Sequence, residues 1–95
     1  MNYLIILNSD HDDHLVEISK CIENYDRSIV INKSTWLIKS KYNSKVIREQ
    51  LMHVMGMKDA LFIFKIGADY TASNALDVLN WIEDSQTLAE RYLGE

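Results

Sequence analysis

The chain has 95 residues, 47% of them hydrophobic, and a formal net charge of −4 at pH 7. This length predicts a single domain over residues 1–95, with enough apolar side chains to form a core. Its one cysteine, Cys21, excludes an internal disulfide and a cysteine-based zinc cluster and favours a reducing compartment. No run approaches about 18 apolar residues, and the first residues lack the pattern of a secretion signal. We therefore expect a cytoplasmic protein without a membrane span.

Most of the positive charge lies in one segment of the chain. Residues 27–48 contain six of the ten Lys and Arg residues and no Asp or Glu, so this segment carries +6 and the remainder −10. Such an asymmetry describes surface fields and partners rather than fold. It makes the segment the first candidate for a surface that binds a polyanion.

The first two predicted elements are a strand over residues 2–8 and a helix over residues 11–24. The run YLIILN is short, apolar and rich in residues that favour strands. The following SDHDDH offers a helix cap in Ser9 or Asp10 and places acidic side chains in the first helical turn. Apolar residues then recur at helical spacing as far as Ile22.

Two strands are predicted next. RSIVIN and TWLIKS predict strands over residues 27–32 and 35–40, because both runs are rich in β-branched and aromatic residues. Only Lys33 and Ser34 separate the two runs, so a hairpin is the simplest connection.

A second helix and a fourth strand follow. KYNS predicts a turn, with Asn43 or Ser44 as the cap of a helix over residues 44–55. Gly56 comes just after the last apolar residue of this helix and marks its expected end. The run ALFIFKI then predicts a strand over residues 60–66.

A third helix is predicted over residues 73–83, with a helical tail to about residue 92. The resulting order, β-α-β-β-α-β-α, predicts an α+β fold of the ferredoxin-like βαββαβ type, with a four-stranded antiparallel sheet plus a C-terminal helix. We expect the core of this domain within residues 1–67 and the C-terminal helical segment within residues 73–93.

Both faces of the predicted sheet are apolar. In the first strand Ile5 and Leu7 alternate with Leu4 and Ile6, and the fourth strand is equally poor in polar residues. An antiparallel sheet with one solvated face would instead alternate apolar and polar residues. Two helices cover only one face, so a partner or the third helix must cover the other. The simplest expectation is a homodimer that buries the uncovered face, or the fourth strand and the C-terminal segment.

The strands of this sequence resemble those of two families. The chain resembles the SinR-like family of small prokaryotic proteins over nearly its whole length. The similar segments are MNYLIILNSD, which a helix follows, then STWLIKS and then LFIFKIG. Over residues 1–67 the chain also resembles, more distantly, the small partner of the CRISPR spacer integrase, the Cas-two protein. The resemblance implies a ferredoxin-like homodimer that handles nucleic acid, in mobile-element or phage-defence biology.

The Cas-two resemblance also bears on catalysis. In that family the first strand ends in an Asp after an aromatic residue, and a metal-dependent nuclease activity is attributed to the two Asp residues of the dimer. Such carboxylates can hold Mg²⁺, which activates water and neutralises phosphate charge. Here Leu7-Asn8 stands at that place, and Asp10 lies two residues further on. We therefore expect no catalytic residue and no nuclease activity, with a nuclease that uses Asp10 as an alternative.

Asp10, His11 and His14 form the densest group of metal-capable side chains. Two histidines three residues apart can share one helix face, with Asp10 as a third ligand for a divalent metal. Acidic residues at a helix start also need no metal, because they complement the free backbone N–H groups there. The sequence thus leaves two interpretations: a metal site at these three residues, or a solvated helix start without a cofactor.

The basic segment contains the best candidate binding site. Lys39 and Lys41 flank the exit of the third strand, and Lys45 and Arg48 fall in the first turns of the second helix, whose N-terminus favours anions. We predict that these four residues form a positive patch that binds DNA or RNA. The alternative is a solvated face that balances the acidic first helix, since the net charge of −4 opposes broad affinity for polyanions.

Other classes of site are poorly supported. Three scattered glycines exclude a P-loop and a dinucleotide-binding fingerprint. Trp36 could stack on a base from the third strand, but a strand Trp is more often core or interface, and no RNP-type run accompanies it. The function expected is a homodimeric, nucleic-acid-associated protein. The alternatives are a non-catalytic protein-interaction or regulatory module, and the nuclease described above.

Overall fold

The computed structural model describes residues 1–85, which form an α+β fold with a four-stranded antiparallel sheet and three α-helices. The elements are β1 (Asn2–Asn8), α1 (Asp12–Ile22), β2 (Arg27–Asn32), β3 (Thr35–Lys39), α2 (Ser44–Leu51), β4 (Ala60–Ile66) and α3 (Leu76–Ser85). A single 3₁₀ turn, Met52–Val54, continues α2. The predicted helical tail to about residue 92 lies outside the described residues. Within residues 1–85 no helix has the length and apolar content needed to cross a membrane.

The strands lie in the order β2-β3-β1-β4, and every neighbouring pair is antiparallel. β1 is therefore a central strand, with Ile5 opposite Trp36 of β3 and Ile63 of β4. β2 and β4 are the edges of the sheet. The predicted hairpin between β2 and β3 is confirmed, and its turn is held by Asn32 Oδ1, which accepts hydrogen bonds from the backbone and hydroxyl of Ser34 at 3.0 and 3.1 Å.

The helix starts follow their capping residues. Asn43 Oδ1 accepts a hydrogen bond from the backbone N–H of Val46 at 3.0 Å, which confirms Asn43 as the cap of α2. At α1 the prediction of Ser9 or Asp10 as the cap is wrong. The capping position falls on His11, whose side chain does not cap, while Ser9 Oγ accepts a hydrogen bond from the His11 N–H at 3.1 Å. Ser9 thus stabilises the turn before the helix rather than the helix itself.

One face of the sheet is closed by α1 and α2. Its side chains from the two central strands are at most 2% exposed, and they pack against apolar residues that recur at helical spacing on α1 and α2. From the sheet these are Tyr3, Ile5, Leu7, Trp36 and Ile38. The Trp36 indole N–H donates to Ser19 Oγ at 3.3 Å. Trp36 is therefore a core residue, as predicted, and its ring cannot stack on a base.

The opposite face is closed only in part, by α3. Asn2 Nδ2 donates to the carbonyl oxygen of Ile82 at 3.2 Å, and the Arg27 guanidinium lies 5.3 Å from the Trp81 ring centroid. Phe62 and Phe64 of β4 remain 44% and 54% exposed on this face, with near-parallel rings 6.4 Å apart. We term these two residues the aromatic pair. It is apolar surface that the described residues leave uncovered.

Candidate nucleic-acid interface

The two basic residues of α2 line one groove. Lys45 and Arg48 border a cavity of about 330 Å³, together with Ser44 and with Leu61 and Ile63 of β4. The groove, termed the basic groove, therefore has two cations on one wall and apolar side chains opposite. An anion bound here would meet both positive charges beside a surface of low polarity, where charge attraction is stronger than in bulk water.

The other two predicted binding residues lie apart from the groove. Lys39 ends β3, and because Trp36 and Ile38 face the helix-covered core, Lys39 points to the opposite face of the sheet. The Lys41 ammonium lies 5.5 Å from the centroid of the Tyr42 ring, in the connection that leads from β3 into α2. The structure thus brings Lys45 and Arg48 together and distributes Lys39 and Lys41 around the end of the sheet.

None of these four basic residues forms an ion pair within residues 1–85. The lysines that pair with α1 carboxylates are others: Lys20 with Glu17 at 3.6 Å and Lys33 with Asp12 at 3.9 Å. Lys33 belongs to the basic segment, so its pair with Asp12 agrees with the alternative role of that segment, charge balance with the first helix. The four predicted residues form no such pair with a described acidic side chain.

The candidate metal residues take part in a different cluster. His14 Nδ1 lies 2.8 Å from Asp59 Oδ2, and the same carboxylate oxygen accepts a hydrogen bond from the Gly56 backbone N–H at 2.7 Å. The His11 ring lies 4.8 Å from the His14 ring, and Asp10 is exposed. No three His, Cys, Asp or Glu side chains of residues 1–85 lie close enough together to hold a metal ion.

The His14–Asp59 contact fastens α1 to the connection before β4. The Asp59 side chain is only 2% exposed. Hydrogen bonds from Ser9, from the backbone of Gly56 and from His14 hold the pKa of Asp59 below its ordinary value, because each favours the charged carboxylate. A Cβ at Gly56 would lie 2.7 Å from His14 Cε1, so this glycine is needed for close approach. Gly56 also directly follows Met55, the C-cap of the 3₁₀ turn that continues α2, so its predicted place just past the helix end is confirmed.

The position of Asp10 also bears on the nuclease alternative. β1 ends at Asn8, and Asp10 lies in the bend beyond the strand. Asp10 could take the place of the Asp found in the Cas-two family only if the strand ran longer, and it does not. The end of β1 therefore carries an amide, which cannot supply the negative charge that a metal-bound nuclease site requires.

The comparisons with known proteins give no relative for this chain. No protein-family model matches it, and no similar curated protein or solved structure is found.

Proposed function

We propose that the chain is a ferredoxin-like domain of the SinR-like or Cas-two-like type that forms a homodimer and binds DNA or RNA through the basic groove, without nuclease activity. The observation that carries this proposal is the basic groove itself. Lys45 and Arg48 share one concave surface, and neither has an acidic partner within the described residues. Phosphate contacts by Lys and Arg supply most of the affinity of proteins that bind nucleic acid without reading its sequence.

The order of elements supports the ferredoxin-like assignment. β1-α1-β2-β3-α2-β4 is the order of the split βαβ arrangement, and β1 and β3 lie side by side at the centre of the sheet. α1 and α2 both pack on the same sheet face, where they bury the central strands. α3 is an addition that packs on the other face.

The aromatic pair supports the homodimer. Phe62 and Phe64 lie on β4, an edge strand, and remain about half exposed. A second copy that covered this pair would complete the burial that α3 leaves unfinished. In such a dimer the basic groove occurs twice, so a long polyanion could contact both copies.

A binding and cleavage assay on labelled DNA and RNA, with and without Mg²⁺, tests the proposal. We expect binding without cleavage. The double variant Lys45→Glu/Arg48→Glu should bind at least about tenfold more weakly, because phosphate contacts become repulsive. Lys20→Glu is the matched control, since Lys20 is exposed, lies on α1 and pairs with Glu17. Its binding should stay close to that of the wild type.

Two other results would redirect the assignment. Mg²⁺-dependent cleavage that is lost in Asp10→Ala would establish the nuclease. Absence of binding to DNA and RNA even at low salt would favour a protein-interaction module, for which the exposed aromatic pair offers a docking surface.

A further inference from the structure

A second concave site lies between the end of α1 and α2. This cavity has a volume of about 400 Å³ and is lined chiefly by two phenols, two amides and one imidazole, contributed by Asn24, Tyr25, Tyr42, Gln50 and His53. We term it the tyrosine cavity. Pockets of roughly 300–1,000 Å³ with a few convergent polar groups are typical of sites for small ligands.

One hydrogen bond inside the cavity orients the Gln50 amide. The Tyr25 hydroxyl donates to Gln50 Oε1 at 2.6 Å, which leaves the Gln50 Nε2 hydrogens free to donate to a ligand. Burial raises the pKa of Tyr25 to about 12, with smaller contributions from Cys21 and Tyr42. The phenol is therefore neutral at physiological pH. No Asp or Glu is among the described residues that line the cavity, so its wall carries no fixed negative charge.

A cation stands beside this aromatic and amide lining. The Lys41 ammonium is 5.5 Å from the Tyr42 ring centroid, and Tyr42 itself is 42% exposed. The ammonium lies over one face of the ring, so a ligand that stacked on the other face of Tyr42 would have a positive charge nearby. Aromatic faces stack on bases, and Asn or Gln amides pair with the donor and acceptor edge of a base. A neighbouring lysine suits the phosphate of the same nucleotide.

We propose that the tyrosine cavity binds a nucleobase, supplied either by a free nucleotide or by an unpaired position of a single strand, with the phosphate directed towards Lys41. The base would stack on Tyr42 and meet the amides of Asn24 and Gln50. The single-strand form rests on the proposed function, because it adds a base-binding site to a nucleic-acid-binding protein. A duplex keeps its bases stacked inside the helix, so the cavity would favour single strands over duplexes.

The test uses the full chain and three probes: adenosine 5′-monophosphate, a labelled eight-residue oligodeoxyadenylate, and a duplex of the same length. Tyr42→Ala should weaken binding of the nucleotide and of the single strand about tenfold, which is the usual size of one lost stacking contact. Gln50→Ala should weaken the same two probes and leave the duplex unaffected. Met57→Ala is the control, because the Met57 side chain is fully exposed and lies outside the cavity, the basic groove and the aromatic pair.

The possible outcomes separate this proposal from the proposed function. If oligonucleotides bind but the affinity is unchanged in Tyr42→Ala and Gln50→Ala, the cavity proposal is wrong and the basic groove stands. If the nucleotide binds, Tyr42→Ala abolishes that binding and no oligonucleotide binds, the cavity is a free-nucleotide site and the proposed function is wrong. If neither the nucleotide nor the single strand binds, the cavity proposal is overturned.

Discussion

The two faces of the sheet are built from the same strands and yet differ in how they are covered. On the helix-covered face Ile5 and Ile38 are fully buried. On the opposite face Leu37 is 1% exposed, whereas Phe62 and Phe64 of the aromatic pair are about half exposed. Apolar strands therefore do not by themselves determine a closed core. Burial depends on whether a helix of the same chain reaches each part of the face, and what remains uncovered is available to a partner.

The largest expected effect concerns the closed face. Trp36→Ala should lower the free energy of unfolding by about 3–5 kcal/mol, because it opens a cavity in the core and removes the hydrogen bond to Ser19. Phe64→Ala is the matched aromatic truncation on the opposite face and should cost within about 0.5 kcal/mol in the monomer. Urea unfolding at a concentration where the chain is monomeric measures both. Similar losses for the two variants would contradict the contrast between the faces.

A smaller effect is expected where α3 joins the sheet. Asn2 is fully buried, and its amide donates to the carbonyl of Ile82, while its own Oδ1 has no partner among residues 1–85. Asn2→Ala should therefore cost about 1 kcal/mol, the net value of one hydrogen bond. The same unfolding experiment measures it. A change near zero would mean that α3 is held to the sheet by its apolar contacts alone.

The secondary-structure elements that the sequence predicts correctly are those whose conformation depends on residues close to them in the chain. The bounds of β1, β2 and β4 are the predicted ones, because short apolar runs between turn residues define strands locally. The start of α3 was predicted at residue 73 but lies at Leu76. Asn74 adopts a φ of 58°, a left-handed conformation that Asn tolerates, and this delays the helix.

The candidate sites could likewise be predicted only where their residues lie close together in the chain. Lys45 and Arg48 are three residues apart on a helix, so the sequence predicts that their side chains lie close together. The contact between His14 and Asp59 joins residues 45 positions apart, and no local pattern indicates it. The tyrosine cavity likewise joins Tyr25 to Gln50 across 25 positions. Tyr42 is an aromatic residue inside the basic segment, but so is the core residue Trp36, so this property alone does not indicate the cavity.

The sheet face that carries the aromatic pair gives a test of assembly rather than of stability. Phe62→Glu/Phe64→Glu places two charges on the aromatic pair and should abolish the proposed homodimer, while the folded monomer keeps its unfolding free energy within about 0.5 kcal/mol. Sedimentation velocity at micromolar concentration compares the variant with the wild type. A wild-type monomer, or a variant that remains a dimer, would show that the pair is not the dimer contact.

The smallest expected effect on the free energy of unfolding occurs only at acidic pH. The folded-state pKa of Asp59 lies below its ordinary value of 3.8, so the folded protein binds this proton more weakly than the unfolded chain. The resulting stabilisation is complete above that value and is lost as the pH falls through the folded-state pKa. Unfolding measured between neutral pH and pH 2 should show this loss in the wild type and a flatter curve in Asp59→Asn. Parallel curves would mean that the carboxylate contributes no pH dependence.

The salt dependence of nucleic-acid binding tests the central claim most directly. Wild type, Lys45→Ala/Arg48→Ala and the control Lys20→Ala are titrated with labelled duplex DNA over a range of salt concentrations. Each phosphate contact contributes about 0.9 to the slope of log affinity against log salt, so the double variant should lose about 1.8 per chain and about 3.6 if both grooves of a dimer bind. The control should keep the wild-type slope. Equal slopes for all three proteins would contradict the assignment of the basic groove as the nucleic-acid interface.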